Sequence, residues 1–337
     1  LESGAAGALV DHIPEGVAPD APLVIVPDVL EALNELARAA RARSKADIIG
    51  ITGSFGKTSM KDALRHVLEQ EGYTLATERS FNNHWGLPLT LSRLHPEHDY
   101  AVIEMGMNNP GEISSHARLA RPHIALITNT GNAHIGKMGT LEEIFKAKAE
   151  IFEGMEQSNM VVLNRSDPFF FEYYERLKRR NISVLDFGFH HGADFDFYPK
   201  DTQDGFKFGV VHFDKSEEVL LNTFSFHWGF NLAAMSACLF ALNVKWQKAC
   251  TALEGFEIPQ GRGNLIQTES GLTLMDESYN AAPMTMAYAL KSLHEMGKIT
   301  GRRTVAILGD MLELGEESAS YHKDLISTDG FKNISKI

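Results

Sequence analysis

Seven consecutive residues, Gly53-Ser54-Phe55-Gly56-Lys57-Thr58-Ser59, have the types and spacing to hold a phosphate. Glycines let backbone N–H groups converge on phosphate oxygens, Lys57 supplies a point charge, and the Thr58 hydroxyl can sit on Mg²⁺. Counting back from Gly56, the first glycine of the commoner G-x-x-x-x-G-K-[ST] loop would fall at position 51, which is Ile. The loop here is the shorter T-G-x-x-G-K-T, opening at Thr52. Glu104 closes the apolar run Tyr100–Ile103. A carboxylate at the carboxyl end of a parallel strand is placed to hold Mg²⁺ directly or through water. His134 ends Thr128-Asn129-Thr130-Gly131-Asn132-Ala133-His134 and is either a metal or phosphate contact or an incidental loop histidine.

Lys148 is more unusual. Leu141, Ile144, Phe145, Ile151 and Phe152 share one stripe of a helix at 100° per residue, and Lys148 falls in the middle of it. An ammonium on a buried face is expensive. It either snorkels to solvent along its stem or is neutral and takes up CO₂ as a carbamate, a carboxylate-like ligand for a second Mg²⁺. Asn82 and Asn83, in Ser80-Phe81-Asn82-Asn83-His84-Trp85-Gly86, suit hydrogen bonding in a ligand cleft or a turn. Arg262 stands between two glycines, where a linker can swing a cation onto a phosphate. Asp276 follows a strand and precedes a helix, a place for a ribose contact or for a helix cap.

These residues need elements to position them. Asp47-Ile48-Ile49-Gly50-Ile51 reads as a buried strand, and Met60, Ala63, Leu64, Val67 and Leu68 give the next segment a helical stripe. Tyr73–Thr77, Tyr100–Ile103, His123–Ile127 and Val161–Leu163 are further short apolar runs. Runs without alternation predict strands covered on both faces, hence a parallel α/β sheet with helices between. Residues 194–226 alternate, are rich in Phe and predict a small antiparallel patch. Asn231–Leu242 predicts an apolar helix, and Pro259-Gln260-Gly261-Arg262-Gly263 a linker. Leu272–Met275 and Val305–Leu308 predict strands of a following unit.

The 337 residues allow two or three domains, and 44% hydrophobic with 23% charged residues is ordinary globular composition. A net charge of −12 argues against a general nucleic-acid binder. Two cysteines, Cys238 and Cys250, point to a reducing, cytoplasmic compartment rather than to a disulfide framework. No apolar run approaches the ~18 residues of a membrane span. The first residues lack the basic and apolar regions of a signal peptide and lack an initiator Met, so an incomplete chain is expected.

Together the T-G-x-x-G-K-T loop, Glu104, the run ending at His134 and Lys148 match, in order and spacing, the Mur ligase family of ATP-dependent amide-forming enzymes. The resemblance covers essentially the whole chain. Within it, Ser80–His84 with Gly86 and Pro88, Glu104-Met105-Gly106, Asn109–Ile113, Asp276–Ala281 with Pro283, and Leu308-Gly309-Asp310-Met311-Leu312-Glu313-Leu314-Gly315 are similar to the branch joining D-alanyl-D-alanine to UDP-N-acetylmuramoyl-tripeptide in peptidoglycan synthesis. The resemblance implies the end of a UDP-sugar domain at 1–45, a central ATP-binding domain at 46–260 and part of a Rossmann-like domain at 261–337. It implies that Gly53–Ser59 and Lys57 bind ATP phosphates, that Thr58 and Glu104 bind one Mg²⁺, and that His134 and carbamylated Lys148 serve a second. Asn231 then falls on the adenine side, Arg262 on a phosphate and Asp276 on the ribose, with Asn82 and Asn83 toward substrate. Two departures are visible: Trp228 replaces the first Asn of a His-Asn-x-x-Asn motif, and Ala282 stands where this branch usually has Asn. The implied protein is a monomer with small-molecule substrates and neither nucleic acid nor membrane as partner. Another carboxylate–amine ligase of this fold, or an ATP-binding module without ligase activity, are the alternatives.

Overall fold

The computed structural model describes residues 4–18, 20–189, 192–202, 205–212 and 215–335. Its strands in chain order begin with β1 (Ala8–Val10), β2 (Leu23–Ile25), β3 (Asp47–Thr52), β4 (Thr74–Ala76), β5 (Tyr100–Glu104), β6 (Ile124–Ile127) and β7 (Met160–Asn164). They continue with β8 (Ser183–Phe189), β9 (Phe195–Thr202), β10 (Gly205–His212), β11 (Lys215–Leu221), β12 (Asn264–Gln267) and β13 (Thr273–Asp276). Nine of them form one sheet in the order β11-β10-β9-β8-β7-β6-β3-β5-β4, parallel from β4 through β9.

The unalternating strands are buried because each face has its own helical layer. Ile49, Ile51, Val102, Leu126 and Val162 pack on the helices Lys57–Leu68 and His227–Ala241. Ile48, Ala101, Ile103, Ile127 and Leu163 point the other way, onto the helices Val29–Arg43, Glu112–Ala120 and Leu141–Ala149. Side chains alternate across a strand, so a strand serving two cores must be apolar at every position. From β3 the chain runs out to the edge strand β4, returns to β5 beside β3 and then crosses to β6 on the other side of β3, a reversal that opens a crevice beyond the carboxyl ends of these strands.

Two expectations change. The antiparallel residues near 194–226 do not form a separate patch: β9 pairs parallel with β8, and β10 and β11 extend the same sheet antiparallel. Their Phe195, Phe197, Phe206 and Phe208 bury against the helix His227–Ala241, which joins them to the main core. Val305–Leu308 carries only a single bridge residue, Val305, instead of a strand. Ile307 there is 94% exposed, so apolar composition without a paired neighbour and a covering layer does not produce a strand. The carboxyl-terminal segment holds the β12–β13 hairpin, the helix Pro283–Thr300, and a small core of Leu290, Ala306, Met311, Leu314 and Leu325.

Candidate active site

The loop after β3 is folded by its glycines and by the loop after β6. Gly53 has φ +147, and a Cβ there would stand 1.8 Å from Thr128 Oγ1. Gly56, at φ 81, caps the helix Lys57–Leu68 in the left-handed region. The Ser54 hydroxyl donates to Gly131 O and accepts from Gly131 N, both at 2.9 Å. Phe55 N donates to Asn129 Oδ1 at 3.0 Å, and Thr128 Oγ1 donates to Phe55 O at 2.5 Å. The loop is thus held open in a fixed shape before any ligand arrives.

Ser54, Phe55, Gly56, Lys57, Thr58 and Ser59 line one wall of a cavity of about 270 Å³. Glu104 and Asn82 line it from the β5 side, Asn231 from the helix His227–Ala241, and Arg262 from the linker. Residues nearly 210 apart in sequence therefore meet at one crevice. Lys57 Nζ donates to Gly53 O at 2.6 Å, folding back on its own loop. Burial pushes its ammonium below the ordinary lysine range, opposed by Glu104 and reinforced by Arg262.

Glu104 is 1% exposed. Its Oε1 accepts from Asn82 Nδ2 at 2.7 Å, while its Oε2, also buried, has no hydrogen-bond partner among the described residues. A buried, half-satisfied carboxylate on the same cavity wall as a hydroxyl-bearing phosphate loop has the chemistry to hold a Mg²⁺ whose coordination substrate oxygens complete. Among the described residues no group of three or more His, Cys, Asp or Glu is placed to hold a metal ion. Asn231 shows the same pattern: its Nδ2 is buried without a partner, and its Oδ1 lies close to Gly56.

Lys148 is 2% exposed, on the buried face of its helix. Burial, and then the like charge of Lys57, push its amine far below the usual lysine range, with Asp167 opposing. His134 has φ 62 and caps the helix Ile135–Met138, and its Nδ1 lies 2.5 Å from Glu313 Oε2. Burial lowers its pKa, Glu313 counteracts this, and Lys57 and Lys148 add to it. His134 and Lys148 therefore sit in the electrostatic neighbourhood of the loop, although neither lines the cavity itself.

Two predicted residues hold backbone in this structure. Asn83 Oδ1 accepts from Trp85 N and Gly86 N, at 3.2 and 2.9 Å, at the start of the helix Gly86–Ser92. Asp276 accepts from Gly261 N at 3.1 Å and from Ser278 N at 3.0 Å, fixing the linker and the turn after β13. Gly53 is not among the lining residues and instead makes the close approach to Thr128. Trp228 is fully buried, and its indole N–H donates to Arg262 O at 3.0 Å. The residues that single-sequence reasoning overlooked are Asp167, His227 and Glu277, all on the cavity wall. The signal for Asp167 is its place just past the carboxyl end of β7, near the level at which Glu104 ends β5.

The strand order and the loop–helix junction define an α/β phosphate-loop protein with its site at the sheet's carboxyl edge. Residues 51–239 match the Mur ligase middle domain, and residues 261–330 match the Mur ligase, glutamate ligase domain. The chain belongs to the Mur ligase family. It is 35% identical to the UDP-N-acetylmuramoyl-tripeptide–D-alanyl-D-alanine ligase of Escherichia coli (strain K12), over 95% of this chain and 70% of that protein. It is 33% identical to the enzyme of the same name from Synechocystis sp. (strain ATCC 27184 / PCC 6803 / Kazusa), over 96% of this chain and 68% of that protein. A crystal structure of MurF from Acinetobacter baumannii superposes with a TM-score of 0.84 at 28% identity, covering 97% of this chain and 75% of that one.

Proposed function

We propose that this chain is an ATP-dependent, ADP-forming ligase that joins D-alanyl-D-alanine to UDP-N-acetylmuramoyl-tripeptide in peptidoglycan synthesis. The observation that carries the reading is the convergence of Lys57, Glu104 and Arg262 on one cavity, from both segments that match the family. The relatives' shared name supplies the substrates.

The tripeptide carboxylate attacks the γ-phosphorus of ATP, giving an acyl phosphate and ADP. The amine of D-alanyl-D-alanine then attacks the acyl carbon, loses a proton, and inorganic phosphate leaves. Both steps bring anions together, and the Lys57 and Arg262 side chains on the cavity wall suit that need. The Gly53–Ser59 loop cradles the phosphates, Lys57 and Arg262 screen them, and Asn231 turns its unpaired amide toward the base. Asn82 holds Glu104 and, with Asn83, shapes the substrate side. Thr58 and Glu104 would hold one Mg²⁺, and His134 with carbamylated Lys148 a second. When bound, these ions neutralise phosphate charge and polarise the γ-phosphoryl group.

The domain reading completes the proposal: residues 1–45 end a UDP-sugar domain, 46–260 form the ATP-binding domain, and 261–337 belong to the ligase domain. A hinge at 259–261 lets Arg262 and Asp276 close on ATP. We assign the protein to the cytoplasm as a monomer without nucleic-acid or membrane partners; among the described residues no helix is long and apolar enough to cross a membrane. The test is phosphate release with UDP-N-acetylmuramoyl-tripeptide plus D-alanyl-D-alanine, against a folate plus glutamate. Release that requires the first pair supports the reading. Release with the second pair alone, or independent of any acceptor, overturns it.

A further inference from the structure

Tyr279 joins the two walls of the cavity in a way the proposed chemistry leaves unused. It follows β13 on the carboxyl-terminal segment and lines the cavity, yet it is 57% exposed, so core filling does not explain it. Its ring lies under the Arg262 guanidinium, with Cζ 3.9 Å from the ring centroid. Its backbone N–H donates to Gly261 O at 3.2 Å, and Gly261 packs so closely that a Cβ there would meet Tyr279 at 3.0 Å. Its hydroxyl lies 2.8 Å from Ser80 Oγ, across the cavity on the β4–β5 side. Two residues on from Ser80, Asn82 holds Glu104. The Arg262 carbonyl is fixed from behind by Trp228.

We infer that Tyr279 is a positioning residue, whose ring sets where Arg262 stands and whose hydroxyl ties that placement to the Ser80–Asn82 arm carrying Glu104. The phosphate-side cation and the metal-side carboxylate are then registered by one side chain. The inference rests on the ligase reading for its kinetic arm but not for its binding arm. A guanidinium stacked on a ring keeps its N–H groups in its own plane, above the ring and free to meet phosphate oxygens. The hydroxyl bond is exposed and single, worth a few-fold effect.

The experiment combines two mutant cycles on the full chain, with ADP affinity by calorimetry and acceptor-dependent turnover as readouts. Y279F keeps the ring and should leave ADP affinity unchanged while lowering kcat about 5-fold, the scale of one hydrogen bond. S80A should do the same, and the double variant should be no worse than either single one. Y279L should weaken ADP binding by about 3-fold, the scale of an exposed cation–π contact, and that loss should vanish in an R262A background. Multiplying effects of S80A and Y279F overturn the hydroxyl tie. Unchanged ADP affinity in Y279L, or a loss that persists in R262A, overturns the ring's role. A wild-type chain with no acceptor-dependent turnover would defeat the ligase reading instead, and the ADP arm would still decide the ring's role.

Discussion

Lys148→Met separates the two readings of the buried lysine by stability alone. The side chain is 2% exposed and its amine is pushed far below the ordinary lysine range, chiefly by burial. On raising the pH the folded chain therefore gives up this proton before the unfolded chain does, whose ammonium has an ordinary pKa near ~10.4. The unfolded state binds one more proton, so stability rises with pH between the depressed and the ordinary pKa and is flat above it. One such group contributes a slope of about 1.4 kcal/mol per pH unit. Lys57, lowered for the same first cause, adds slope of the same sign. Met is similar in length and carries no proton, so K148M should flatten the rise of stability with pH wherever the lysine titrates below its unfolded pKa. It should also be more stable than wild type at pH 7 and lack ligase activity, a trade of stability against function. The assay is urea unfolding in CO₂-free buffer at pH 7, 8 and 9, followed by tryptophan fluorescence. Parallel stability curves for wild type and K148M would mean the lysine stays charged when folded, and would refute both the neutral amine and the carbamate built on it. Added bicarbonate should stabilise wild type and leave K148M unmoved, because only a ligand of the folded state shifts unfolding.

Gly53→Ala places a Cβ against Thr128 at a φ of +147. It should cost about 2–4 kcal/mol and weaken ADP binding at least ~10-fold by breaking the Thr128–Phe55 bond, as read by urea unfolding and calorimetry. His116 is 3% exposed with both ring nitrogens unpartnered among the described residues, and burial lowers its pKa to about 4. Its folded state refuses a proton that the unfolded state accepts below ~6.5, so this contribution is lost as pH falls from there toward 4, by about 3 kcal/mol in total. His116→Leu should flatten that acid limb in unfolding curves at pH 4–7, and an unchanged limb would show the ring is not the group responsible.

What the sequence revealed and what it hid divide along one physical line. Ile48, Ile49 and Ile51 announce a strand buried on both faces because local composition must serve two cores. Lys148 announces itself because one polar residue breaks an apolar stripe, a local contradiction that its 2% exposure makes real. Which edge a strand joins is a tertiary choice, and nothing local in Phe195–Thr202 says that it will pair parallel with β8. The same holds for side chains whose chemistry suits two partners. Asn82 and Asn83 are adjacent and alike, yet one reaches Glu104 and the other holds the N–H groups at a helix start. Asp276 offers the same carboxylate to a ribose or to the Gly261 N–H, and here it takes the backbone.

This ambiguity bears on mechanism. A carboxylate that fastens Gly261 while the linker is in its present position becomes available to a ribose only if that bond is exchanged. Arg262 is held by three separate contacts on the same short stretch: the Tyr279 ring, the Trp228 indole on its carbonyl, and the Pro259 carbonyl on its N–H. If the linker hinges as proposed, a stretch so closely held would switch between few positions rather than swing as a loose tether, since each alternative position must replace these bonds together. Trp228 then has a reason to stand where the family motif has Asn. It gives up a side-chain amide and gains a buried anchor for Arg262, the proposed phosphate contact, leaving Asn231, whose Nδ2 has no partner among the described residues, as the remaining amide of that motif on the cavity wall.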